Sequence, residues 1–404
     1  MINVPGTDGE CYTGWDAIAE CLNRDLMKIN EKVKVVVLEC YQGVLDEEVV
    51  VSLQARFPAS HWFYSADAML SSDEINAILK QDITDDEIFG YMTRLNMDCY
   101  FDGKKLAELR SKVAAVKEGV VFVYGVGAAY VQQVYDLLVY ADMARWEIQM
   151  RFRRNEISNV GVENKEERAS LQYKRAFFVD WRICDRFKKK LMREWDYVLD
   201  TNIAGTPKMA TGKAVWAGLE KASQTPFRVV PFFDPGPWGG QWMKEVCDLD
   251  RNTANFAWCF EENSLYLGFG NVRFEIPSID LVFAYPARLL GNPVYGRFGD
   301  EFPIRFDFLD TMGGGNLSLQ VHPLTQYIQE KFGMHYTQDE SYYMLDATED
   351  ATVYLGVKEN IHPDEMINAL NEAQESGNFD AEKYVGHYAV KKHDHLLIPA
   401  GTIH

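Results

Sequence analysis

Val33-Lys34-Val35-Val36-Val37-Leu38-Glu39-Cys40 is the stretch that decides the fold class. It is short, β-branched and nearly continuous in its apolar character. A run of that kind suits a strand buried on both faces, and such strands belong to parallel sheets covered by helices. Further strands are expected over His61–Tyr64, 120–124, 137–140, Ala176–Asp180 and 197–199. Helical patterns separate them. Over Trp15–Leu26, the residues Ile18, Leu22 and Leu26 recur on one stripe, and 106–116 repeats the pattern. Strands alternating with helices predict a three-layer, largely parallel α/β domain over residues 1–225.

The character of the chain changes after Pro226. FFDPGPWGGQW (232–242) is rich in Pro, Gly and Trp, and alternating strands follow it. Leu265, Leu267 and Phe269 alternate up to Gly270-Asn271, and Val272, Phe274 and Ile276 alternate after it, which predicts a β-hairpin. Strands are also expected over 304–309, 317–321, 340–345, Thr352–Val357 and 396–398, with one helix opening at Pro363. Many short strands punctuated by Gly and Pro predict a sandwich or jelly roll over 226–404.

Within that half, Leu317-Ser318-Leu319-Gln320-Val321-His322-Pro323 carries the chemistry. On a strand, Leu317, Leu319 and Val321 share one face, and Ser318, Gln320 and His322 share the other. Three polar residues on one face need partners, which a bound cation or solvent at a sheet edge would supply. Glu340 opens a strand of Tyr and Met, and His404 follows an apolar strand and an Ala-Gly turn. Taken singly, each of these residues suits a hydrogen-bonded structural role as well as a ligand.

PWGGQW (237–242), FPIRFDFLD (302–310), LSLQVHP (317–323), ESYYMLDA (340–347) and LIPAGTIH (397–404) stand in the order found in class I mannose-6-phosphate isomerases, which this half resembles. The resemblance implies a cupin jelly roll and a zinc ion held by Gln320, His322, Glu340 and His404. It implies an aldose–ketose isomerase of mannose 6-phosphate and fructose 6-phosphate, working through an enediol. Ser318 would contact the phosphate and Trp238 would line the site, although a core role suits Trp238 equally. The proton-transferring base is not identified.

Two positions depart from the family. Shorter relatives commonly carry Lys at the positions of Gln338 and Asp307, so phosphate would need other donors, with Arg305, Lys244 and Lys392 as candidates. These departures also suit a non-catalytic sugar-phosphate-binding or regulatory cupin. In the family, further strands and a catalytic Arg follow the last ligand, whereas here the sequence stops at His404. The expectation is an unanchored fourth ligand, weak zinc binding and little isomerase activity.

The first half loosely resembles P-loop nucleoside kinases, through AFFVDWRICDRFKKKLM (176–192), and it lacks their phosphate loop. Gly205 to Gly212-Lys213-Ala214 is the nearest approach to G-x-x-x-x-G-K-[ST], with six residues between the glycines and Ala in place of Ser/Thr. Gly125-Val126-Gly127 lacks the third glycine of a dinucleotide fingerprint. A degenerate scaffold is expected, without phosphotransfer.

Composition narrows the partners. A net charge of −19 over 404 residues argues against nucleic acid, whose phosphates bind clustered Lys and Arg. The basic runs at 151–154 and 186–190 are short and read as solvated helix faces. No apolar run is long enough to cross a bilayer, and the first residues have no signal-peptide pattern, so a cytoplasmic protein is expected. Seven cysteines without a CxxC pair read as reduced thiols. The implied partner is a small sugar phosphate; the oligomeric state is left open.

Overall fold

The structure is a computed structural model that describes residues 1–404, the side chains at 261 and 262 excepted. The chain forms two compact units, 1–232 with 260–307 and 233–259 with 308–404. A single cut at 225/226 does not describe this partition. The hairpin Trp258–Phe269/Val272–Pro277 explains why, because its Leu267–Gly268 portion pairs with Ile2–Asn3 at the start of the chain and so the hairpin belongs mostly to the first unit.

A seven-stranded sheet organises the first unit. Its order is Cys11–Thr13, Lys208–Thr211, Tyr197–Asp200, Leu137–Asp142, Val33–Cys40, Gly119–Gly125, His61–Tyr64. The last five are mutually parallel, and the first two run antiparallel to their neighbours. Val33–Cys40 is central: Val36 pairs with Phe122 on one side and Leu137 on the other. Val36, Val37 and Leu38 are wholly buried. Their side chains leave the strand on alternate faces, so both faces of the sheet are covered. Burial of each contributes roughly 1.5–3 kcal/mol.

Counted along the sequence, the parallel strands lie in the order second, third, first, fourth, fifth. Right-handed crossovers through that order put helices on both faces. Helix Trp15–Leu26 has the expected bounds and buries Ile18, Cys21, Leu22 and Leu26.

Ala176–Asp180 is not a strand. It is a π-helical segment joining helix Ala169–Arg175 to helix Trp181–Leu191. No Gly or Pro interrupts 169–191, and buried residues recur at helical spacing through Gln172, Ala176, Val179 and Ile183. Tertiary burial of that stripe overrides the β preference of Phe and Val.

The two basic runs are not simply solvated. Arg151 is buried and donates from Nη1 to the Gly43 carbonyl at 2.6 Å and from Nη2 to the Thr201 carbonyl at 2.7 Å, clamping the loops after two parallel strands. Lys188 is buried between Asp142, at 2.7 and 2.8 Å, and Asp280, at 2.9 Å. Burial and the neighbouring Asp142 push the Asp280 carboxyl well above the usual range, with Lys188 opposing.

The second unit holds two small antiparallel sheets, Glu340–Tyr343 with His395–Ile398 and Thr352–Val357 with Val385–Ala389. Helix Pro363–Ser376 begins where Pro363 predicts. Met366, Tyr384 and Val385 form a local core, against which Leu319, Tyr354 and Ile403 pack. Residues 317–321 do not form the regular strand expected. Their pairing is an isolated bridge, Val321 to Ile403. Leu319 packs inward while Gln320 is exposed, but Val321, expected on the face of Leu319, is exposed as well, so the expected alternation stops at Gln320.

The motif PWGGQW is a structural lock. The Asp310 carboxylate accepts from the backbone N–H groups of Met243, at 2.8 Å, and Met312, at 3.0 Å, and the Gly240 N–H donates to the Asp310 carbonyl at 2.8 Å. A Cβ at Gly240 would stand 2.2 Å from Asp310 Oδ1, so only glycine fits.

Among the described residues, no helix is long and apolar enough to cross a membrane. The seven cysteines are free thiols, and Cys247 alone is exposed.

Candidate metal centre

His322, Glu340 and His404 lie 18 and 64 residues apart along the chain, and the fold of the second unit brings them together. Pro399 to Thr402 forms the turn that delivers His404. The Thr402 N–H donates to the Pro399 carbonyl at 3.1 Å, and Gly401 takes φ +86°, which favours glycine. Three links hold this turn. Gly401 N–H donates to the His322 carbonyl at 2.7 Å, and Ala400 N–H donates to the Asp339 carboxylate at 2.9 Å. Glu340, next to Asp339, pairs with Ile398 just before the turn.

His404 itself is firmly seated. Its N–H donates to the Gln320 carbonyl at 3.0 Å, and its own carbonyl accepts from the Gln320 N–H at 2.8 Å. Its side chain is only 1% exposed. The expected unanchored ligand is therefore corrected: backbone pairing on both sides fixes this residue, and with it falls the physical reason given for weak zinc binding.

The functional atoms converge on Glu340 Oε2, with His322 Nε2 at 2.8 Å and His404 Nε2 at 2.9 Å. The two imidazole centroids are 5.2 Å apart. His322 and Glu340 keep about a fifth of their side-chain surface exposed, 20% and 18%, so the centre is open on one side.

The donor set fits a cation. His404 Nδ1 lies 3.0 Å from the Thr402 carbonyl oxygen, which can only accept, so Nδ1 carries the proton. In the neutral ring Nε2 is then a bare lone pair, and it faces a carboxylate oxygen that also bears lone pairs. A metal ion between them converts that opposition into coordination, and a carbonyl behind the ligating imidazole fixes the ring as metal-bound histidines require. Two imidazoles and one carboxylate, with a side left open, match the ligand types of catalytic zinc sites. His322, Glu340 and His404 are thus a possible metal site in which zinc is not itself shown.

The other expected site residues are placed as follows. Gln320 is the direct backbone partner of His404, with its side chain exposed and making no hydrogen bond among the described residues. Ser318 is also exposed and has no side-chain hydrogen bond among the described residues. Trp238 is buried edge-on against Trp258, at 4.8 Å between centroids, and its carbonyl accepts from Gly315 N–H. Of the cations considered for phosphate, Lys244 is buried and donates to the Ala254 carbonyl, and Lys392 lies 3.9 Å from Asp346. Arg305 donates to the carbonyls of Phe302 and Ile304 in its own loop.

Two residues have contacts at the centre that the sequence did not indicate. Asp339 ties the turn that carries His404, and Gln338 brings its carboxamide nitrogen to 3.3 Å from His322 Nε2. Their adjacency to Glu340 was the available signal.

A family model described as a domain of unknown function (DUF8485) matches residues 14–224, just over half of the chain. The chain belongs to this family. The matched segment lies within the first unit, apart from the metal centre. The chain is also distantly similar to two proteins of Bacillus subtilis (strain 168). It is 24% identical over 184 residues to the mannose-6-phosphate isomerase ManA, covering 43% of this chain and 52% of that protein. It is 23% identical over 182 residues to the probable mannose-6-phosphate isomerase GmuF, covering 44% and 54%. The chain spans about half the length of these curated relatives. Among solved structures, the mannose 6-phosphate isomerase from Bacillus subtilis overlaps 45% of this chain and 54% of its own, at 20% identity and a TM-score of 0.34.

Proposed function

We propose that the second unit is a zinc-dependent aldose–ketose isomerase that interconverts mannose 6-phosphate and fructose 6-phosphate on a cupin-type jelly roll. The observation that carries this reading is the meeting of His322, Glu340 and His404 at one point, with the His404 tautomer set by the Thr402 carbonyl. The distant similarity to mannose-6-phosphate isomerases supports the same chemistry.

The reaction moves a proton between the two carbons at the carbonyl end of the sugar, with an enediol between the two transfers. Zinc would be held by His322, Glu340, His404 and Gln320, and supplies Lewis-acid polarisation of the sugar carbonyl. Glu340 brings one negative charge, so the centre keeps net positive character toward a developing oxyanion. The open side of the centre admits substrate. Ser318 is proposed to reach the phosphate and Trp238 to back the pocket wall.

A second reading, a sugar-phosphate-binding cupin without turnover, is favoured by Gln338 and Asp307 at positions where relatives commonly carry Lys. Formation of fructose 6-phosphate from mannose 6-phosphate, followed with zinc-loaded and chelator-treated protein, separates the two. Turnover that zinc restores supports the isomerase. Binding of mannose 6-phosphate without turnover supports the second reading.

The first unit is proposed to be a nucleoside-kinase-like scaffold without phosphotransfer. Supporting this is the loop after the central strand. It turns the Gly43 carbonyl toward Arg151, and the following helix opens with Asp46, Glu47 and Glu48. A phosphate would need N–H groups there, and those three carboxylates repel it.

A further inference from the structure

The carboxamide of Gln338 lies beside the three converging ligands, on the Nε2 side of His322. Its Nε2 lies 3.3 Å from His322 Nε2, the nitrogen that also stands 2.8 Å from Glu340 Oε2. Asp339, between Gln338 and Glu340, turns its carboxylate to the Ala400 N–H. Gln338 and Glu340 both approach His322 Nε2.

His322 Nε2 cannot serve both neighbours by hydrogen bonding. If Gln338 donates to His322 Nε2, that nitrogen is an acceptor and cannot donate to Glu340. His404 Nε2 is an acceptor too, because its Nδ1 bears the proton toward Thr402. Two bare nitrogens and a carboxylate oxygen then face one another. The ends of a carboxamide exchange by rotation, with the choice set by the surrounding network. With a cation among the ligands, the favourable rotamer places Gln338 Oε1 inward as another acceptor. Gln320 is exposed like Gln338, but its carboxamide makes no hydrogen bond among the described residues.

We propose that Gln338 is a ligand of the metal ion, through its carboxamide oxygen, alongside His322, Glu340 and His404. The inference rests on the metal-centre reading above. A neutral oxygen ligand leaves the charge of the centre unchanged. It also occupies a position on the exposed side, where an incoming sugar oxygen would have to displace it or share the ion with it.

Co2+ titration of the metal-free full chain tests this through affinity and the visible absorption of bound cobalt, neither of which requires turnover. The expected result is that Gln338→Ala weakens Co2+ binding by about tenfold or more and changes the cobalt spectrum. Gln338→Glu, which keeps an oxygen at that point, should restore affinity, and Gln320→Ala should weaken it less than Gln338→Ala. Gln338 is exposed, so its replacement leaves the core intact. Wild-type affinity and spectrum in Gln338→Ala, with binding lost in His322→Ala, would overturn the role of Gln338 alone. Failure of the wild-type chain to bind Co2+ would overturn the metal centre as well.

Discussion

Gln320 and His404 exchange both backbone hydrogen bonds, at 2.8 and 3.0 Å, and so stand directly opposite each other. Side chains of such a pair leave on the same face of the ladder. His322 meets His404 at Glu340 Oε2, while the Ser318 and Gln320 side chains are exposed. Replacing His322 or His404 with Ala should lower zinc affinity by more than about 100-fold, beyond the range for residues that only support ligands. Competition with a chromophoric chelator measures it.

Asp339 touches the ion in no reading, yet it holds the Ala400 N–H in the turn before His404. Asp339→Ala should cost roughly 10–100-fold in zinc affinity, the range for supporting residues. Asp339→Asn keeps an acceptor oxygen and should recover most of that loss. Equal affinities for the wild type and the Ala variant would show the turn to be held without Asp339.

In the first unit, Lys188 donates to two buried carboxyl groups, those of Asp142 and Asp280. Lys188→Met strands both and should destabilise the fold by about 3–5 kcal/mol in urea unfolding. Asp280→Asn should be milder, because it leaves Lys188 paired with Asp142 and removes a carboxyl whose charged form burial and Asp142 disfavour. Comparable losses in the two variants would contradict this charge assignment.

The Glu39 carboxyl accepts from the N–H groups of Gly127 and Ala129, at 2.7 Å each. Burial pushes it up to about 8, although these backbone bonds oppose the shift. The folded chain then holds a proton on Glu39 that the unfolded chain releases near pH 4.5. Stability from this group is present in full below that value and falls as pH rises toward 8, by about 1.4 kcal/mol per pH unit. The slope should vanish in Glu39→Gln. Urea unfolding at several pH values reads it, and a stability that rises through this window would contradict the burial argument.

The parallel sheet was legible because Val33–Cys40 is covered on both faces and has no polar face to disguise its period. Ala176–Asp180 misled because Phe and Val favour strands locally, whereas the buried stripe that makes the segment helical extends well beyond those five residues. Arg151 and Lys188 looked like surface charge since their partners, Gly43, Thr201, Asp142 and Asp280, are remote in sequence. At the metal centre, residue types and order pointed to His322, Glu340 and His404. The anchoring of His404 was invisible because it depends on pairing with Gln320. Trp238 shows the opposite limit, since a motif tryptophan reads alike whether it lines a site or packs against Trp258.

Zinc bound per chain at equilibrium, in the wild type and in His322→Ala, tests the central claim most directly. The account predicts one ion per chain in the wild type and a large loss in the variant. No bound zinc in the wild type, or an equal amount in both, would contradict it.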